Sequence, residues 1–81
     1  MEIVKVELNG KKIVLYEDAI IEVQVGKGTK GGYKVKHIFT ARDFAKAVMT
    51  YNGINVGKGY KKRLVCLSLN NPILAKVLSY V

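Results

Sequence analysis

The chain has 81 residues, 49% of them hydrophobic and 25% charged, with a formal net charge of +8. That balance describes one small globular domain and excludes both a second domain and a disordered chain. The charge is lopsided: residues 1–26 carry Lys5, Lys11 and Lys12 against Glu2, Glu7, Glu17, Asp18 and Glu22, a balance of −2, whereas residues 27–81 carry eleven Lys or Arg against Asp43 alone, a balance of +10.

The first predicted element is a β-hairpin. Ile3 to Leu8 and Lys11 to Tyr16 flank Asn9-Gly10, a pair that accepts the positive φ angles of a two-residue type I′ turn. Leu8 opposite Lys11 sets a register that pairs Glu7 with Lys12, Val6 with Ile13, Lys5 with Val14, Val4 with Leu15 and Ile3 with Tyr16, so Val4, Val6, Ile13 and Leu15 share a core-facing side. Glu17-Asp18 breaks the run. Ala19 to Val25 then alternates, with Ile21, Val23 and Val25 on one side and Ile20, Glu22 and Gln24 on the other, as a third strand does.

Gly26 to Gly32 holds four glycines in seven residues and is a basic loop. It leads to a fourth strand, Tyr33 to Phe39, with Tyr33, Val35, His37 and Phe39 on one face and Lys34, Lys36 and Ile38 on the other. Strands three and four form a second hairpin. Thr40 and Asp43 have the spacing of a capping box, with Asp replacing Glu or Gln, and predict a helix through about Tyr51, ended by Asn52-Gly53. Its stripe Phe44, Ala47, Val48 and Tyr51 covers the sheet.

Residues 52–62 are a second basic, glycine-bearing loop. Arg63 to Leu69 is apolar on both faces, which predicts a central strand. Asn71-Pro72 then reads as an N-cap and first helical position, opening a C-terminal helix over Ile73 to Val81 whose wide apolar surface must dock on the domain or on a second copy. The expected fold is α+β: a single domain, 1–81, of order β-β-β-β-α-β-α, with a mostly antiparallel sheet of about five strands and two helices packed on one side. A chain this small buries only about 60% of its unfolded surface, so a homodimer through the C-terminal helix is a natural route to stability.

Cys66 is the only cysteine, which excludes an internal disulfide and a multi-cysteine zinc site and fits a reducing, cytoplasmic setting. The expectation is a chain without a secretory leader or a membrane span, because charges interrupt the N-terminal residues and no window approaches about 20 apolar residues. One Gln, no Trp and many Lys, Ile and Val form a bias shared with proteins of hot-living organisms.

Two loops echo one another: Val25-Gly26-Lys27-Gly28 precedes Tyr33-Lys34, and Val56-Gly57-Lys58-Gly59 precedes Tyr60-Lys61. Glycine lets backbone N–H groups approach an anion, lysine adds charge, and tyrosine offers a face for a base. Glycine and lysine are also ordinary turn residues, and neither loop matches the Gly-x4-Gly-Lys-Ser/Thr phosphate loop. The absence of compensating acids argues that the cations have an anionic partner, since surfaces normally mix both signs. The candidate nucleic-acid-binding residues are Lys27, Lys30, Tyr33, Lys34, Lys36, Lys58, Tyr60, Lys61, Lys62 and Arg63.

His37, on the apolar side of its strand, reads as a packed histidine, and Cys66 between Val65 and Leu67 as a buried thiol. Glu17, Asp18 and Glu22 are a weak magnesium set, so no metal, cofactor or catalytic residue is assigned. The expected function is a non-catalytic nucleic-acid-binding domain for DNA or RNA that contacts phosphates with little sequence preference, because twelve Lys against two Arg position rather than specify. The alternatives are a regulator or inhibitor docking its basic face on an acidic protein, and a small ribonuclease that requires His37 to reach solvent beside the basic loops.

Overall fold

The computed structural model describes residues 3–27, 32–68 and 71–80, the last stretch as backbone except for Leu78. Strands β1 (Ile3–Leu8) and β2 (Lys11–Tyr16) form the first hairpin in the predicted register, from Ile3↔Tyr16 to Leu8↔Lys11. Asn9 and Gly10 have φ of 52° and 80°, the two positive angles the turn demands. Leu8 and Leu15 are buried and Val4, Val6 and Ile13 pack half-buried beside them, so the side predicted to face the core does so.

Strands β3 (Ile20–Gly26), β4 (Tyr33–Thr40), β5 (Lys61–Ser68) and β6 (Asn71–Tyr80) make a second, antiparallel sheet of order β4-β3-β5-β6. A 3-10 turn, Ala41–Asp43, and helix α1, Phe44–Gly53, connect β4 to β5. Phe44, Ala47 and Tyr51 turn inward from α1 onto Ile21, Val23 and Leu64, all buried. Burying such side chains contributes about 1.5–3 kcal/mol each for the large ones, which makes this helix–sheet contact the centre of the fold.

Three expectations change. The C-terminal segment is a strand, giving six strands and one helix among the described residues, with no second helix there to carry a homodimer. The reason is local. A nine-residue helix is marginal alone, whereas an extended segment supplies ladder partners to the edge of β5 that would otherwise be bare. Pro72 is tolerated because β6 is an edge strand and Pro72 lies near its start, where the ladder slips between Cys66↔Lys76 and Ser68↔Asn71. The capping box does not form: Thr40 Oγ1 donates 3.5 Å to the Asp43 carboxylate, and the 3-10 turn intervenes before α1 begins.

The third change lies in β4. His37 opposes Val23 while Val35 opposes Gln24, so Lys36 is the extra residue of a β-bulge. The strict alternation read from the sequence therefore breaks at Lys36: Phe39 and His37 pair with Ile21 and Val23 of the helix-side face, whereas Val35 pairs with Gln24 of the other face. Lys34, paired with Val25, returns to the helix side.

Candidate nucleic-acid interface

Both echoing loops emerge at one end of the sheet. Gly26 closes β3, Tyr33 opens β4 and Lys61 opens β5, and Gly26 pairs with both of the others. The approach is close enough to require glycine: a Cβ on Gly26 would lie 2.3 Å from the Gly32 carbonyl oxygen and 2.9 Å from Tyr33 Cα. The second loop closes by a turn in which the Tyr60 amide donates to the Gly57 carbonyl at 3.0 Å, with Gly59 at φ 83°. That turn aims Tyr60 back over the end of β3, where it is 44% exposed.

Here the two loops meet. The Lys27 ammonium lies 5.6 Å from the centroid of the Tyr60 ring, within cation–π range. Lys27, Lys34, Lys36 and Tyr60 line one hollow of about 350 Å³ floored by Val25 and Gly32. Spacing by two already puts Lys36 beside Lys34, and the bulge at Lys36 adds His37, paired with Val23, to the same side. Lys58 stands exposed in the adjoining turn. The patch crosses three strands, about 10 Å at a strand spacing of about 4.8 Å, and the hollow has no acidic residue in its lining.

The remaining candidate residues divide differently. Lys62 is on the helix side but is used by the fold: its ammonium donates to the carbonyls of Tyr51, at 2.8 Å, and Ile54, at 3.1 Å, and lies 4.7 Å from the Tyr51 ring centroid. It thus shares the Tyr51 carbonyl with the Ile54 amide, which donates to it at 3.3 Å, and takes the Ile54 carbonyl just past the end of α1. Arg63 points to the opposite face. Its guanidinium stacks 3.9 Å from the Tyr33 ring centroid, and its Nε donates to Gln24 Oε1 at 2.7 Å, while Gln24 Nε2 donates to Glu22 Oε1 at 2.8 Å. This chain of hydrogen bonds satisfies the amide of Gln24, which is 8% exposed. Tyr33 and Arg63 therefore do not join the lysines around Tyr60. Lys61, paired with Gly26, belongs by register to the face of Tyr33 and Arg63. Lys30 lies outside the described residues.

His37 is exposed rather than packed, stacked beside Phe39 with ring centroids 6.2 Å apart. It borders a second hollow, of about 400 Å³, whose walls are Val25, Ile54, Val56 and Tyr60 with Lys36 at the rim. Val25, Lys36 and Tyr60 are common to both hollows. Sequence reasoning missed this apolar half; the available signal was Ile54 and Val56, two branched apolar residues in an otherwise polar loop.

Among the described residues no three His, Cys, Asp or Glu gather as a metal site, and no helix is long and apolar enough to cross a membrane. Glu17 is instead held by Arg42 at 3.3 Å and Glu22 by Gln24. Cys66 is half-buried in β5. No family model matches the sequence, and neither a curated protein nor a solved structure matches it.

Proposed function

We propose that the chain is a nucleic-acid-binding domain that grips a phosphate backbone at the Gly26 end of its sheet. One observation carries this: Lys27, Lys34 and Lys36, drawn from a loop and the strand that follows it, converge around Tyr60 in a hollow lined by no acid. Like charges brought together cost stability unless an anion offsets them, and phosphates do so while releasing condensed counterions. Lysine ammoniums act as point charges rather than as forks shaped for guanine, so such a contact takes many sequences.

The test is binding of labelled DNA and RNA across a salt series, for the wild-type chain and a Lys27→Ala/Lys34→Ala/Lys36→Ala variant. Affinity should fall linearly in log salt, with the slope shallower in the variant by about 2–3, at about 0.7–0.9 for each phosphate that is no longer neutralised. Absence of binding to either at low salt would discard this function and turn the basic patch toward an acidic protein surface.

His37 supports a second reading, cleavage of RNA. Exposed beside Lys36 and Tyr60, its imidazole can take the proton of a 2′-hydroxyl as a general base, so that the 2′-oxygen bonds to the adjacent phosphorus and the P–O5′ bond breaks, the departing 5′-oxygen taking a proton from water while lysine offsets the charge on the phosphate. The hollow it borders offers no carboxylate to orient the ring, which is why binding without cleavage is the leading function. Labelled RNA should stay intact on prolonged incubation; cleavage that disappears in His37→Ala would make the protein an enzyme.

A further inference from the structure

Two hollows of opposite character share one wall. On one side of Tyr60 and Lys36 the surface is cationic, with Lys27 and Lys34; on the other it is apolar, with Ile54 and Val56, and Val25 floors both. A phosphate finds three lysines in the first hollow and Lys36 alone, beside His37, in the second. An aromatic ring suits the second, where Tyr60 supplies a π-face, Ile54 and Val56 supply apolar contact, and the Asn55 amide in the same lining offers both a donor and an acceptor. The side-by-side arrangement of an anion site and an aromatic site is that of a nucleotide whose base has left its stack.

Resting on the nucleic-acid function above, we infer that the ligand is a single strand, with one unstacked base seated between Tyr60 and the Ile54–Val56 wall and its backbone phosphates held by Lys27, Lys34 and Lys36. A duplex meets only half of this surface. Its bases are paired and stacked inward, so its phosphates reach the lysines while the apolar hollow stays unused; filling it would first require unstacking and unpairing, an added cost. An already unstacked base enters without that cost and gains the stacking and apolar burial that sequence-tolerant single-strand binders use. Lys27 is placed to serve both halves: its contact with Tyr60, at 5.6 Å, is a long one, and a phosphate is a stronger partner for an ammonium than an aromatic face.

The experiment compares one short labelled sequence as a single strand, as a duplex and as a strand of abasic sites, in DNA, with the single strand and duplex repeated in RNA, at matched salt. The full chain is used as wild type, Tyr60→Ala and Tyr60→Phe. Wild type should bind the single strand about tenfold tighter than the duplex or the abasic strand, and Tyr60→Ala should lose about that factor on the single strand alone, with the salt slope unchanged and Tyr60→Phe close to wild type. A preference for either sugar supports the inference so long as the abasic strand is weak. Equal affinity for single, duplex and abasic forms, or an equal loss on all of them in Tyr60→Ala, would overturn it while leaving phosphate binding intact. Binding to none of them overturns the underlying function instead. Circular dichroism shows whether Tyr60→Ala folds, and if it does not, wild type against the abasic strand decides alone.

Discussion

The two ends of β3 treat charge in opposite ways. Near Ile20, acids and cations meet: Glu17 pairs with Arg42 at 3.3 Å, and Asp43 accepts from Thr40. Near Gly26, Lys34, Lys36 and Lys58 have no acidic partner among the described residues, and Lys27 contacts the ring of Tyr60. The seven residues of β3 put about 20 Å between these ends, at about 3.4 Å per residue. One end is electrostatically closed and the other is open to an anion. Within the open end a further division appears, because Lys62 and Arg63 sit on the same strand start yet are bound by the fold itself. A basic residue thus signals an external partner only when the fold has no use for it.

The largest expected effect breaks the open end itself. Gly26→Ala forces a Cβ against backbone atoms of Gly32 and Tyr33, at 2.3 and 2.9 Å, where no side chain can swing aside. Urea denaturation should register a loss of about 3 kcal/mol, the upper part of the range for overpacked sites, and nucleic-acid affinity should fall with it. Gly53→Ala is the control: a Cβ there meets nothing within 4 Å, and at the end of α1 it should stabilise by up to about 1 kcal/mol. Equal behaviour of the two variants would show that β3 and β4 can part at Gly26 far enough to admit a Cβ.

A smaller effect sharpens the division among lysines. Lys62→Met removes two charge-assisted hydrogen bonds to carbonyls at the end of α1 and should cost about 1–3 kcal/mol of stability, with no change in the salt slope of binding. Lys34→Met should do the reverse: stability within about 0.5 kcal/mol of wild type and a slope shallower by about 0.8. If both variants changed the slope alike, Lys62 would belong to the interface after all.

Much of the fold was legible in the sequence because short-range rules governed it. Asn9-Gly10 determined a turn, a register and a buried face; Phe44, Ala47 and Tyr51 at helical spacing marked the packed side of α1; a strand apolar on both faces at Leu64 and Val65 proved central. What was not legible depended on partners distant in the chain. Asn71-Pro72 carries a good helix-start signal, and only the bare edge of β5 turns that segment into a strand. The bulge at Lys36 leaves no mark on the pattern, yet it decides that His37 joins Lys36 in a hollow with Tyr60. The basic patch was likewise visible as a set of residues but not as a surface: spacing by two placed Lys34 and Lys36 together, whereas nothing local separated Lys62, which caps a helix, from Lys27, which does not.

The smallest effect tests whether the closed end is electrostatically silent toward the open one. The Arg42–Glu17 pair is exposed, at 61% and 37% for its side chains, so Arg42→Ala should lower stability by no more than about 0.5 kcal/mol, and a double-mutant cycle with Glu17→Ala should return a coupling of that size. Its influence on binding depends on screening. At 0.1 M salt the Debye length is about 10 Å, half the separation of the two ends, and the affinity for a single strand should match wild type; at 0.01 M the length is about 30 Å, and removing one positive charge should weaken binding measurably. A loss at 0.1 M as large as that of Lys34→Met would mean that the strand runs the length of β3 to touch Arg42 itself, and the patch around Tyr60 would then be one part of a longer track.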